Sequence, residues 1–396
     1  VDTLENLRNE IDDIDRQLTG LFEKRMETVI KVAQYKKENN IPILNKNREE
    51  EVIEKNIKYL KNKGFKKEEA EFLKNVMAIS RKAQAREIFE YNVDLQEDKK
   101  NELEYTVSNE AACLPKRNNI NAGFQGVHGS FSEEALLEHF GEGVIAHNVT
   151  EFEDIFKALK NNEIDYGVLP IENSSTGGIV EVYDLLRKYG FFIVGERTIK
   201  VSHNLLGVKG AKIEDIKEVY SHPQALQQSS EFLKNYPKWN CIPYRNTAAS
   251  AELVRNENSK EKAAIASKKA GEIYDLDIIR DDINYNKNNY TRFIIIGKSL
   301  ELENNYNKIS TILTLPHKAG SLYNILSIFA EYNLSLLKIE SRPIIDKSFE
   351  YFFYIDFEGN LNDKAVKEAI GEIRNNSYDF KLLGNYKAHN VIVPII

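Results

Sequence analysis

Leu4, Leu7, Ile11, Ile14, Leu18 and Leu21 recur at alternating steps of three and four residues. Side chains at that spacing lie on one stripe of a helix, as in the seam of a coiled coil. A stripe this long has to be covered by other helices. Residues 3–90 read as helices only. Asp2 with Glu5 reads as an N-cap with a supporting glutamate, and Asn39-Asn40 with Pro42 ends the first helix. A second helix starts near Arg48 on the stripe Val52, Ile53, Ile57 and Leu60, and "NKGF" (62–65) stops it. A third runs from about Lys67 through Phe89.

After this the period changes. Residues 91–119, with "DLQEDKKNELEYTVSNE", are polar and read as a connector. Beyond 120, "INAGFQG", "GVIAHNV", "DYGVLPI" and "FFIVGE" read as strands. They alternate with the helical "SEEALLEHF", "EFEDIFKALK" and "VYDLLRKYG", and Thr150-x-x-Glu153 reads as a capping box. Such alternation implies α/β layers, and it continues to about residue 298, long enough for two lobes. Residues 308–386 then give strand, helix, strand, strand, helix, strand, the ferredoxin-like split βαβ order.

Hydrophobic content of 42% with 29% charged residues fits a soluble chain of several domains. The longest apolar runs fall short of a membrane span, and the acidic, amphipathic start is unlike a signal peptide. Cys113 and Cys241 lie far apart with no C-x-x-C. That argues against a disulfide framework or a zinc site and fits a reducing cytoplasm. A net charge of −7 argues against nucleic acid as a partner.

Charges interrupt the helical stripe. Arg25 falls on it, seven residues after Leu18, where a guanidinium is costly unless an anion meets it. Lys36, eleven residues on, is turned only about 20° from Arg25, on the same face. Arg8 is seventeen residues earlier, roughly 25 Å along a straight helix. If it serves the same small ligand it comes from another chain, which predicts an intertwined dimer. Arg48 and Glu49 open the second helix beside its stripe, and Ser80 and Gln84 sit one turn apart in line with Val76. Interhelical salt bridges are one reading of these residues; a polar pocket for a di-anion is the preferred one.

This segment resembles the all-helical chorismate mutases. The resemblance implies a dimer of long helices that binds chorismate between Arg8 of the partner chain, Arg25, Lys36, Arg48, Glu49, Ser80 and Gln84. It implies a pericyclic rearrangement needing no nucleophile, metal or cofactor, in which Lys36 and Gln84 face the ether oxygen as negative charge grows on it. Asn45 stands where that family often has aspartate.

Four strand-to-helix junctions carry hydroxyls or amides: "GVHGSFS" (126–132), "PIENSSTGG" (170–178), "YSHPQALQQ" (220–228) and "RNTAASAE" (245–252). Each alone is an ordinary cap; four together suggest a carboxylate pocket between lobes. Glu172 follows a buried-looking run, so it is either a desolvated acid with a raised pKa or an acceptor of turn N–H groups. His222, before Pro223, reads as structural. In "NNYTRFIII" (288–296), Thr291 and Arg292 stand at the mouth of an apolar strand with no acid nearby in sequence. The missing acid is expected to be a substrate carboxylate, with a plain structural ion pair as the alternative.

Residues 120–298 resemble the prephenate dehydratases through "GSFSEEA", "LPIENSSTGG", "SHPQAL", "NTAASA", "AAIAS" and "NNYTRF". That implies two lobes like a type-2 periplasmic binding protein with the site in the cleft, where prephenate loses carbon dioxide and its ring hydroxyl together. Thr291 would supply the essential hydroxyl and relay a proton from Glu172 or water, and Arg292 would recognise an anion. Asn173, Ser174, Ser175, Gln224 and Thr247 would hold carboxylates.

The last module carries "HKAGSLYNIL" (317–326) and "IESRP" (339–343) and resembles the ACT domains that bind L-phenylalanine between two chains. The matching positions are Ala319, Gly320, Ser321, Leu322, Glu340 and Ser341. Ser321-Leu322-Tyr323 replaces the usual Ala-Leu-Val, so tyrosine is the other effector considered, and a purely dimerising module the alternative.

The expected chain is therefore multidomain: an all-α chorismate mutase bundle (1–92), a connector (93–118), a two-lobed α/β dehydratase (119–300) and a ferredoxin-like βαββαβ ACT domain (305–390). It would be a cytoplasmic homo-oligomer, dimer or tetramer, of phenylalanine biosynthesis, with chorismate and prephenate as substrates, L-phenylalanine as effector and no membrane partner. A non-catalytic sensor of small aromatic carboxylates is the competing reading.

Overall fold

The computed structural model describes residues 3–39, 41, 45–95, 120–318, 320–344 and 350–389. The chain forms two compact units. The smaller holds α1 (Leu4–Glu38), α2 (Lys46–Tyr59) and α3 (Lys66–Leu95). Its first helix has 35 residues and is about 52 Å long. Thr3 caps it, its hydroxyl accepting from Asn6 N–H at 3.3 Å, whereas the expected cap Asp2 lies outside the described residues. Asn45 caps α2 by accepting from Arg48 N–H at 3.0 Å, which starts that helix two residues before Arg48. The third helix continues to Leu95, past the expected start of the connector, whose remaining residues lie outside the described ones. Val29 and Ala33 of α1 are buried, but Leu4, Leu7, Ile11, Ile14, Leu18 and Leu21 are 44–65% exposed. The apolar stripe is thus left uncovered by the described residues of its own helical unit.

The larger unit begins with β1 (Asn121–Gln125), β2 (Ile145–Val149), β3 (Tyr166–Asn173), β4 (Gly177–Gly178) and β5 (Phe192–Lys200). A second group follows: β6 (Asn204–Gly207), β7 (Glu218–Ser221), β8 (Asn240–Pro243), β9 (Lys262–Ala266) and β10 (Asp277–Arg280). The chain then returns through β11 (Tyr290–Gly297), which inserts antiparallel between β3 and β5. One sheet therefore runs β2-β1-β3-β11-β5 with β4 beside β3, and the other β10-β6-β9-β7-β8. Helices Phe131–Phe140, Phe152–Lys160 and Val180–Tyr189 belong to the first lobe, and Pro223–Gln228, Thr247–Glu257 and Lys268–Ile273 to the second. The cap of Phe152–Lys160 is Glu151, whose N–H donates to Asp154 at 3.2 Å, one residue later than the expected Thr150/Glu153 pair. Glu153 turns instead to Lys188 and Tyr189.

The last four strands are β12 (Lys308–Thr314), β13 (Leu336–Pro343), β14 (Tyr351–Glu358) and β15 (Asp379–Tyr386). With helices Ser321–Glu331 and Lys364–Asn375 they form an antiparallel βαββαβ sheet ordered β13-β14-β12-β15. This sheet does not stand apart. Ile171, Ile193, Ile294 and Ile296 of the first lobe pack in one core with Ile312, Phe352, Tyr354, Leu383 and Tyr386. Gly384 of β15 lies so close to β5 that an added Cβ would fall 2.0 Å from the Ile193 carbonyl oxygen. The second lobe has its own apolar clusters, built around Leu206, Ala264 and Val254 and around Leu205, Val219 and Ile265.

Candidate functional site

Thr291 and Arg292 are consecutive in β11, so they point to opposite faces of the sheet. Thr291 pairs with Asn173 of β3, and Arg292 with Glu172. Just beyond, the register slips: Phe293 pairs with Pro170 and Ile171 is left over. A β-bulge here bends the strand next to the paired residues. It also accommodates Pro170, which lacks an N–H for a regular central ladder.

On one face Thr291 is 8% exposed, and its hydroxyl accepts from Asn173 Nδ2 at 2.9 Å. A hydroxyl carries a single proton, and accepting from Asn173 leaves that proton available to donate. Asn173 Nδ2 also reaches Asn289 Oδ1 at 2.8 Å and the Tyr290 carbonyl at 3.1 Å. Asn289 Nδ2 donates to Gln228 Oε1 at 3.1 Å, and His203 Nε2 lies 2.8 Å from that same oxygen. Burial lowers the His203 pKa, opposed in part by the Gln228 contact. Ser175 joins through Asn289 at 3.3 Å and accepts from Asn286 Nδ2 at 3.0 Å. Gln224 donates to Thr176 at 3.0 Å. Since Gln224 and Gln228 come from the second lobe, these amides link the two lobes beside Thr291.

The other expected carboxylate holders fare differently. Ser174 is committed to backbone, accepting from Tyr290 N–H at 2.9 Å and donating to the Asn288 carbonyl at 3.2 Å. Thr247 is partly buried at a helix start capped by Asn246, and among the described residues no hydrogen bond ties it to the network. In "GVHGSFS" the Gly129 N–H is taken by Glu133 at 2.6 Å, so an internal carboxylate already occupies that turn. His222 is a cap, accepting from Gln224 N–H at 3.3 Å. Asn289, Gln228 and His203 were not singled out, although the first two lie inside quoted motifs.

Two expectations are corrected on the opposite face. Arg292 does not await a substrate carboxylate. Its Nε lies 2.7 Å from Glu172, in an ion pair along which the N–H does not point, and its Nη1 lies 2.8 Å from Asp356 and 3.2 Å from Glu196. Burial alone would lower its pKa, but Asp356, Tyr386, Glu172 and Glu196 raise it well above the usual value. Glu172 is likewise no isolated acid: Arg292 and Lys338 both pair with it. Both partners lie on the face away from Thr291. Strand alternation is the physical reason, because it turns both side chains away from Thr291 and Asn173.

In the helical unit, Arg25 Nη1 contacts the Ser80 hydroxyl, which donates to the Val76 carbonyl at 2.6 Å. Burial lowers the Arg25 pKa. One turn on, Gln84 is 7% exposed, and its Oε1 is buried with no partner among the described residues. Such an acceptor is costly unless a ligand meets it. Glu49 pairs with Arg81, a residue not anticipated. Lys36 is half-buried and Arg8 exposed. Arg48, expected to face inward, is instead exposed and paired with Glu51 at 3.2 Å.

In the last module, Gly320 has φ of +85° and opens the helix Ser321–Glu331. That left-handed conformation suits glycine. Ser321 and Leu322 are half-buried, Tyr323 is exposed, and Ala319 lies outside the described residues. Glu340 and Ser341 lie on β13.

A helical unit with half-buried cations beside a buried amide, a two-lobed α/β body with an amide-lined junction and a βαββαβ module define a multidomain enzyme acting on small anions. Residues 7–85 match the family Chorismate mutase type II, residues 122–301 match Prephenate dehydratase and residues 309–375 match the ACT domain. A bifunctional chorismate mutase/prephenate dehydratase of Buchnera aphidicola subsp. Acyrthosiphon pisum is 33% identical over 393 residues, covering 98% of this chain and 97% of that protein. The chain belongs to the bifunctional chorismate mutase/prephenate dehydratase family. Among solved structures, prephenate dehydratase from Arthrobacter aurescens in complex with L-Phe is 27% identical with a TM-score of 0.62, covering 69% of this chain and 93% of that one. GqqA, described as a novel type of quorum quenching acylase, is also 27% identical with a TM-score of 0.62, covering 68% of this chain and 98% of that one. Among the described residues no helix is long and apolar enough to cross a membrane.

Proposed function

We propose that the helical unit rearranges chorismate to prephenate, and that the larger unit converts prephenate to phenylpyruvate, carbon dioxide and water under feedback inhibition by L-phenylalanine. Family membership over nearly the whole length supports the pair of activities. The observation that carries the dehydratase reading is the buried Thr291–Asn173 pair. With Asn173 donating to it, Thr291 is free to donate to the departing ring hydroxyl while aromatisation drives decarboxylation. Carboxylate holding falls to Asn173, Ser175, Gln224 and Thr247, and not to Arg292. Glu172 keeps a supporting place in the strand and is not the acid.

In the mutase site Arg25, Lys36 and Gln84 hold the substrate's compact conformer and meet the charge growing on its ether oxygen. Ser80 orients Arg25. The exposed α1 stripe is covered by a second copy, which brings Arg8 to the site. The enzyme works in the cytoplasm as a dimer or a higher homo-oligomer. The deciding experiment measures chorismate and prephenate turnover separately, each with and without L-phenylalanine, following phenylpyruvate absorbance in alkali. Turnover of both substrates, with the second suppressed by L-phenylalanine, is expected. Absence of product, with ligand-induced thermal stabilisation retained, would favour the sensor.

A further inference from the structure

Glu49 has the wrong charge for its place. It stands in the first turn of α2, beside a site that Arg25, Lys36 and Gln84 shape for a di-anion. A carboxylate alone on that wall would repel the substrate. The cation next to it in the chain does not help, because Arg48 is turned outward to Glu51. The counter-charge comes from α3, where Arg81 Nη1 meets Glu49 Oε1. The Arg81 and Glu49 side chains are 33% and 28% exposed, against 67% and 68% for Arg48 and Glu51. Water and salt therefore screen the Arg81–Glu49 pair the less of the two.

The third helix presents these groups in a fixed order. At 3.6 residues per turn, Gln84 is turned about 40° from Ser80 and Arg81 about 100°, so Gln84 falls between the other two. Ser80 faces α1 through Arg25, and Arg81 faces α2 through Glu49. The buried Gln84 Oε1, with no partner among the described residues, lies in the arc between them. Arg25 and the Arg81–Glu49 pair thus flank the same acceptor from two different helices. A single ion pair this open to water adds little to stability. What it does supply here is a neutral wall on the α2 side of the pocket.

We propose that Arg81 is a positioning residue for the chorismate rearrangement: it cancels the charge of Glu49 and fixes its direction, so that a carboxylate can line a pocket for a di-anion. Glu49 then offers a fixed hydrogen-bond acceptor with no net charge turned on the substrate. Arg81 acts through Glu49 and does not itself touch the substrate. This rests on the mutase activity proposed above.

The test uses the full chain. Arg81→Met, Arg81→Lys, Glu49→Gln and the double variant Arg81→Met/Glu49→Gln are compared with wild type for chorismate kcat and KM, with prephenate turnover and thermal unfolding followed on the same samples. An uncancelled carboxylate beside a di-anion should weaken binding, so Arg81→Met is expected to raise KM about tenfold. Its kcat should stay within about threefold and prephenate turnover should not change. Arg81→Lys keeps the charge and should recover most of the loss. In the Glu49→Gln background, Arg81→Met should change KM by less than about twofold, because no charge is left to cancel. A wild-type KM in Arg81→Met would overturn the proposal. So would a loss of about tenfold that persists in the Glu49→Gln background, since Arg81 would then act on the substrate or the fold directly. Should Arg81→Met unfold the helical unit, Arg81→Gln takes its place in the same cycle. Wild-type chain that leaves chorismate untouched would instead overturn the mutase reading itself.

Discussion

Thr291→Ala separates chemistry from folding. The substitution removes a hydroxyl that accepts one hydrogen bond from Asn173, plus one methyl group. Asn173 Nδ2 keeps Asn289 and the Tyr290 carbonyl as acceptors, so no buried donor is orphaned. The cost is then about 1 kcal/mol for the hydrogen bond and about 1 kcal/mol for the methyl. Against a typical stability of about 5–15 kcal/mol, a loss of about 2 leaves at least roughly 3 kcal/mol, and under about 1% of the protein unfolded. Removing a donor aimed at a developing charge costs about 10²–10³ in kcat. A hundredfold loss therefore cannot come from unfolding. Prephenate turnover should fall by that factor while chorismate turnover on the same sample is unchanged, and Thr291→Ser should restore most of it. Wild-type prephenate turnover by Thr291→Ala would refute the assignment.

Gln84→Ala should lower chorismate turnover about ten- to a hundredfold, with prephenate turnover unaffected; equal loss of both would show a folding defect. Gly384→Ala places a methyl against the Ile193 carbonyl, which cannot yield as a side-chain end can. Overpacking of this kind costs about 1–3 kcal/mol, read as a lower urea midpoint for the larger unit. Burial pushes the His139 pKa down to about 3, helped by Arg197 and His389, and burial also lowers that of His203. Both are neutral in the fold and take up protons on unfolding, so their contribution is full above about pH 6.5 and is lost as pH falls below it. The slope is at most about 1.4 kcal/mol per pH unit for each. Urea unfolding at pH 7.5, 6 and 5 should show this loss, and His139→Gln should flatten it.

Thr291 could be placed from its motif, but the company of Arg292 could not. Its acids lie 64 and 96 residues away for Asp356 and Glu196, contacts that no local pattern encodes. One warning was legible all the same. Adjacent strand residues face opposite ways, so Thr291 and Arg292 could not both address one ligand from a regular strand. The three periods of the chain gave the layers, because helical and strand spacing follow directly from what each element buries. They gave boundaries less well: a cap resting on one side chain shifts by a residue with little change in pattern, as Glu151 does against Thr150. Asn289 and Gln228 escaped notice because an amide in a motif has no period and no charge to mark it. The α1 stripe was plain in sequence, but its apolar side chains stay exposed among the described residues, so no local pattern names what covers them.

The core shared by the first lobe and the ACT sheet bears on how a feedback-resistant enzyme could be made. Truncation near residue 300, in the gap between the dehydratase match and the ACT match, follows a boundary of homology and not one of packing. It would bare Ile294 and Ile296 and strip Arg292 of Asp356. The shortened chain would shed its regulator and a wall of its own interior together. If the proposed effector site at Gly320–Leu322 holds, single replacements there, outside that shared core, are the sounder route to deregulation.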